Sequence, residues 1–429
     1  MPYQVVSSLI NSLRSGALRL QDYLAEIEST YNENEPAVNA FLSEPRRFSR
    51  LRREAIVLER DNPQPINRPP LYGIPIGIKD IFRVDGFETK AGSKLPADVL
   101  KGRESQAVAM LKQAGCLILG KTQTTEFAYF GAGPTRNPLA LEHTPGGSSS
   151  GSAAAVAAGL CPIALGTQTI GSIIRPASYC GVVGFKPSYD RVSKAGVIPL
   201  APSLDHVGVF ASEVAAAELV ANLLCPDWHL TVSETLPVLG IPTGPYLDEV
   251  SSEGWELFSK SLDRLNDAGC IVKEVPAMTD FIKIVNRHGL ILAAEAAQVH
   301  ATWYSEYGEL YHNMTADLIR EGRTISVGDL AEALTGRQQL RRELTALMDE
   351  HKVDLWVSPA ATGMAPRGLE NTGDPIMNLP WTHSGLPSVT LPSGTNVDGL
   401  PLGLQIAGRW YEDERLLDWS IELESLLDR

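Results

Sequence analysis

Several things are scarce in this 429-residue chain, and each scarcity excludes a class of protein. There are five cysteines, at 116, 161, 180, 225 and 270. The number is odd, the spacing is wide and no CxxC pair occurs, so neither a zinc knuckle, a redox motif nor a disulfide framework is expected. Cys161, Cys180 and Cys270 sit in apolar runs and read as buried free thiols in a reducing compartment. No run of 18 apolar residues exists, so no membrane span is expected. The N-terminus, MPYQVVSSLINSLRSGALRL, lacks a basic segment followed by a continuous apolar one, which argues against a signal peptide and for a cytoplasmic protein. Basic residues are outnumbered, 37 against 51 acidic, giving a net charge of -14. Nucleic acid is therefore not expected as a ligand, because neutralising phosphates requires clustered Lys and Arg. GxGxxG and SxxK do not occur, and the formal GxxxxGK[ST] match at Gly115 to Thr122 (GCLILGKT) is filled by the apolar β-like run rather than by loop residues. Neither common phosphate loop is therefore expected, and a β-lactamase-type Ser/Lys pair is removed.

What remains is an ordinary globular composition, 44% hydrophobic and 21% charged. Apolar residues at helical spacing predict two helices over residues 2 to 30, broken near Gly16. The polar, proline-rich stretch 61–70 reads as a surface connection. A helix over 106–114 is followed by a short β-like run at 116–119, and 182–185 is another such run. Val238–Pro242, the stripe Trp255, Phe258, Leu262 and Leu265, and Ile271–Val275 together read as strand, helix, strand, a βαβ unit. Further strands are expected at 353–357, 388–391 and 402–406, with a closing helix at 416–427. The pattern predicts an α/β protein with a mixed central sheet between helices. No internal repeat and no firm boundary appears, so residues 1–429 read as a single domain. Within it, 60–211 carries the chemistry, and the helix-rich 212–350 is a candidate cap.

The most unusual stretch is 145–188. Gly146 to Gly151 (GGSSSG) and Gly166 to Ser172 (GTQTIGS) are small-residue loops joined by an alanine-rich helix and a short strand. Such loops let backbone approach backbone or ligand closely, and they can bring two hydroxyls and several free amides to one point. Gly147-Ser148-Ser149-Ser150-Gly151 also fits the G-x-S-x-G nucleophile elbow, with His383 and Asp354 or Asp374 downstream as partners. That elbow must follow a buried strand, and LEHTP before it does not read as one. Upstream, GIPIGIKDIF sets Lys79 among apolar neighbours. Burial there would favour the neutral amine, a competent general base; alternatively Lys79 pairs with Asp80.

Taken together, PGGSSSGSAAAVAAG, GTQTIGSIIRPA, GVVGFKPS and GIPIGIKDIF, with SLDHVG at 203–208 and GLPSVTLPSG and GLPLGLQIAGR near the end, resemble the amidase signature family along nearly the whole chain. The resemblance implies an amidase signature fold. It implies Ser172 as nucleophile, Ser148 as a bridging serine in a cis peptide, and Lys79 as the base. Backbone amides of Thr169, Ile170, Gly171 and Ser172 would form the oxyanion hole. It implies no metal or organic cofactor, and a small amide as substrate. A homodimer is left open. Two departures from the common family pattern matter. Gln168 stands where many relatives have Asp, and Arg175 lies three rather than two residues past the nucleophile, a variant that looks like the malonamidase branch. There the arginine grips a substrate carboxylate; in this chain it could instead meet an internal one. Ile170 replaces a common Gly, and its β-branched side chain restricts the loop and narrows the pocket. Gln168, Asp205 and Arg409 read as scaffold, and none of the eight histidines is given a role. The reading is an amidase of a small carboxamide, one bearing a carboxylate. The alternatives are the amidase-like component of a transamidation complex that handles charged tRNA, and a hydrolase of aryl or fatty amides.

Overall fold

The computed structural model describes residues 6–427. Ten strands form one sheet. They are β1 (Pro75–Lys79), β2 (Leu117–Thr122), β3 (Ile163–Gln168), β4 (Val183–Lys186), β5 (His206–Ala211), β6 (Val238–Thr243), β7 (Ile271–Pro276), β8 (Leu355–Pro359), β9 (Ser388–Thr395) and β10 (Pro401–Ala407). The order across the sheet is β2-β1-β3-β5-β4-β9-β10-β8-β6-β7. Pairing is parallel at both flanks, β2-β1-β3 and β8-β6-β7, and antiparallel through the middle. Helices Val214–Leu224, Ser252–Asp267 and Asp413–Leu427 pack on it, as does Ile174–Cys180, giving the expected α/β sandwich around a mixed sheet. No helix among the described residues is long and apolar enough to cross a membrane.

The predicted elements fall close to the observed ones. The N-terminal pair is Val6–Ser15 and Leu20–Val38, with Gly16 between them at φ 83°. The second helix runs past the predicted end because its last two turns are polar (YNENEPAV) and carry no apolar stripe to read. The unit β6, helix Ser252–Asp267, β7 is the expected βαβ, with β6 and β7 parallel. Its helix buries Phe258 and Leu265, while Trp255 is 44% exposed. Periodicity does not pick out β1 and β5. Every residue of both strands is buried, so no alternation marks them. Strands β6 and β7, within 212–350, extend the sheet to its edge. The same segment supplies helices Phe281–Val299, Asn313–Gly322 and Val327–His351, and Leu292, Leu318 and Ala333 pack in one cluster with Leu200, Leu204 and the partly buried Ile170. All five cysteines are buried free thiols.

Candidate active site

Both small-residue loops converge on the end of β1. Lys79 closes that strand and is fully buried. Its Nζ lies 2.7 Å from Ser148 Oγ and 2.8 Å from Thr167 Oγ1, with the Thr167 carbonyl at 3.5 Å. Asp80 is not its partner: the Asp80 carboxylate pairs with Lys121 at 2.7 Å and accepts the Lys90 amide, so that reading of the sequence is corrected. Burial without a facing carboxylate holds the Lys79 ammonium well below the ordinary lysine value, opposed by the more distant charge of Asp205.

Ser148 follows a cis peptide bond at Gly147–Ser148 and precedes helix Ser150–Ala157. That helix is buried from Ser150 to Val156, and its small residues have a packing reason. A Cβ on Gly151 would lie 2.2 Å from the Ala40 carbonyl and 2.4 Å from the Gln123 amide. Ser149, central in the formal elbow motif, is committed elsewhere. Its hydroxyl donates to the Thr167 carbonyl at 3.1 Å and accepts the Thr167 amide at 3.3 Å. No strand precedes it, and Asp354 and Asp374 accept from the amides of Val238 and Ile376. The elbow reading therefore fails on geometry.

Ser172 ends the loop after β3, is 7% exposed, and leads into helix Ile174–Cys180. No hydrogen bond joins it to Ser148 among the described residues; such contacts commonly tighten only once substrate is bound. The amides of Ile170, Gly171 and Ser172 donate to no protein group among the described residues, leaving them available to a ligand oxygen. Gly171 is required here for space: a Cβ would fall 2.3 Å from Asn378 Oδ1 and 2.9 Å from Pro375 Cβ. Ile170 is partly buried and bridges two apolar clusters. A cavity of about 60 Å³ lies on the Thr167, Thr169 and Asp205 side, and Ser148, Ser172 and Arg175 do not line it.

Arg175 is 2% exposed and forms no ion pair among the described residues. One nitrogen, Nη2, donates to the Gly147 carbonyl at 2.7 Å and to Thr372 Oγ1 at 3.0 Å. Its Nε and Nη1 have no partner among the described residues. Burial pushes the guanidinium down to about 10, with Tyr179 and Asp374 opposing. The internal-carboxylate reading is thus corrected: what holds Arg175 is a carbonyl and a hydroxyl. Of the residues read as scaffold, Arg409 pairs with Asp349, whereas Asp205 accepts from Thr169 in the Thr169–Ser172 loop and Gln168 accepts the amides of Ile173 and Ile174 just past it. Sequence reasoning missed Thr167, Thr372, Asn378 and Thr382. Thr167 lies within the second Gly/Ser loop and the other three in or beside the ENTGDP…NLPWTHSG segment, but nothing in their spacing marks them.

A family model described as Amidase matches residues 22–417. The chain belongs to that family. Cleavage of an amide C–N bond is the family's general chemistry, and the fold agrees. A crystal structure of an amidase superposes with a TM-score of 0.88 at 30% identity, covering 97% of this chain and 98% of the other. Among curated relatives, a glutamyl-tRNA(Gln) amidotransferase subunit from Synechococcus sp. (strain WH7803) is 32% identical over 95% of this chain and 93% of its own length. Its counterpart from Acidobacterium capsulatum is 32% identical over 99% and 100%. These relatives support the Amidase family as a whole rather than the malonamidase branch specifically.

Proposed function

We propose that this chain cleaves the C–N bond of a small carboxamide through an acyl-enzyme on Ser172. The observation that carries the reading is the buried Lys79, facing Ser148 Oγ at 2.7 Å with no carboxylate to keep it charged. Neutral Lys79 takes the proton of Ser148 as Ser148 takes that of Ser172. Ser172 Oγ then attacks the amide carbon, and the oxygen's developing charge meets the amides of Thr169, Ile170, Gly171 and Ser172. Collapse breaks the C–N bond, and the proton returns through Ser148 to the departing nitrogen. Water, deprotonated along the same route, releases the acid and restores Ser172. The unpartnered Nε and Nη1 of Arg175 lie on opposite edges of the guanidinium, and either one offers a charge-assisted donor to a carboxylate on the acyl side of the substrate. Ile170 and the near-closed Ser172 favour small acyl groups.

A second reading has its own support. The curated relatives named above are amidotransferase subunits, matched over nearly their full length. In that reading the same serine cleaves a carboxamide and the chain works beside other subunits on an aminoacyl-tRNA. Ammonia release by the isolated chain from a panel of small amides, with and without a carboxylate, separates the two. Turnover by the chain alone supports the hydrolase. Release that requires added amidotransferase partner proteins supports the transamidation role. No release under either condition refutes both.

A further inference from the structure

The Thr169–Ser172 loop is held from outside by side chains that do not reach the reacting atoms. Thr169 Oγ1 donates to Asp205 Oδ1 at 2.6 Å. Gln168 Oε1 accepts the amides of Ile173 and Ile174 at 2.8 and 3.0 Å. With its oxygen so occupied, the Gln168 amide nitrogen must face the other way, and it donates to Thr382 Oγ1 at 2.9 Å. Thr382 is therefore an acceptor for Gln168, and its own proton goes elsewhere. The Ile170 carbonyl lies 2.6 Å from Thr382 Oγ1, closer than the Asn378 carbonyl at 3.2 Å.

That last contact has a geometric consequence. The Ile170–Gly171 peptide is trans, so its C=O and N–H point in opposite directions. Anchoring the Ile170 oxygen on Thr382 therefore sets where the Gly171 N–H points. On the same side, Asn378 stands against Gly171 Cα, with its Nδ2 committed to the Ala360 carbonyl and Gln405 Oε1. Helix Leu379–Ser384, which carries Thr382, is itself fixed by Trp381 Nε1 on Tyr246 and by Arg337 and Arg341 on its last carbonyls.

We propose that Thr382 is a positioning residue for the oxyanion loop, aiming the Gly171 N–H through the Ile170 carbonyl, and that Gln168 sets the direction of the Thr382 proton. This rests on the acyl-enzyme reading above. It also gives Gln168 a reason to be an amide in this chain. A carboxylate at 168 would accept the Thr382 proton and leave the Ile170 oxygen without its donor.

The test compares Thr382→Val, Thr382→Ser and Gln168→Glu with the wild type, by steady-state ammonia release and by amide hydrogen exchange across 168–174. Thr382→Val keeps the shape and removes the hydroxyl. Its kcat is expected to fall at least about tenfold, and at most by the about 10²–10³ for losing one oxyanion donor outright, with KM within twofold. Thr382→Ser restores most of the rate, Gln168→Glu falls with Thr382→Val, and the loop exchanges faster only in the two impaired variants. Thr382→Val with wild-type kcat, a loss confined to KM, or Thr382→Ser as poor as Val overturns the proposal. If the wild type releases no ammonia, the functional reading fails by itself, and exchange still decides this one: a loop as protected in Thr382→Val as in wild type refutes the anchor.

Discussion

Replacing Arg175 by Met removes a buried cation that has two free donors and no carboxylate. In the resting protein the guanidinium gives one nitrogen to Gly147 and Thr372 and leaves Nε and Nη1 without partners. A substrate carboxylate would receive one charge-assisted hydrogen bond there, from Nε or from Nη1 on the opposite edge, worth roughly 1.5–3 kcal/mol. Its loss corresponds to about 10–10²-fold in kcat/KM. The loss should be confined to acidic amides, because a neutral amide of the same size never made that bond. Stability should move much less. The Gly147 carbonyl loses a donor, which costs about 1–3 kcal/mol, but an uncompensated buried charge disappears with it. The assay is ammonia release from matched pairs of amides differing only in a terminal carboxylate, with a thermal melt of each variant. Equal losses on both members of a pair would refute the anion grip, as would unchanged selectivity.

Further outcomes follow from the same geometry. Burial depresses Lys79, so the active neutral form accumulates as pH rises, and kcat/KM should reach its plateau well below the ordinary lysine value of about 10.4. Because Asp205 opposes that depression, Asp205→Asn should move the acid limb to lower pH; a limb that shifts upward contradicts the assignment. The same sign makes a depressed lysine destabilising below its unfolded pKa, an effect that fades as pH climbs from the folded value toward the unfolded one. Gly171→Ala places a methyl 2.3 Å from Asn378 Oδ1, so it should lower stability by about 1–3 kcal/mol and reduce kcat, read by denaturation and turnover. Lys121→Met strands the buried Asp80 carboxylate and should cost about 3–5 kcal/mol in a denaturant titration, partly recovered by adding Asp80→Asn.

Much of this molecule was legible in its sequence where local rules dominate. The βαβ unit at β6–β7 reads directly because its helix carries an apolar stripe bounded by two short runs. Strands β1 and β5 were illegible by periodicity because the sheet buries both their faces. At the site, Lys79, Ser148, Ser172 and Arg175 stand out through dense motifs. Their environment does not, because it comes from chain segments about 200 residues away. Thr372 meets Arg175, and Thr382 meets Ile170, only once β9 has brought the C-terminal segment beside β4. For the same reason, the charge partner of Asp80 could not be chosen between Lys79 and Lys121 from spacing. Lys79 ends β1 and reaches Ser148 and Thr167, whereas Asp80 lies in the turn just past the strand and reaches Lys121.

The most direct test of the central claim is to trap the acyl-enzyme. The chain is incubated with a small carboxylate-bearing amide, quenched in acid and mapped by peptide mass, alongside Ser172→Ala and Ser149→Ala. The account predicts an acyl adduct on Ser172, retained in Ser149→Ala and absent, together with ammonia release, in Ser172→Ala. An adduct on Ser149, or ammonia release that persists without Ser172, would contradict it.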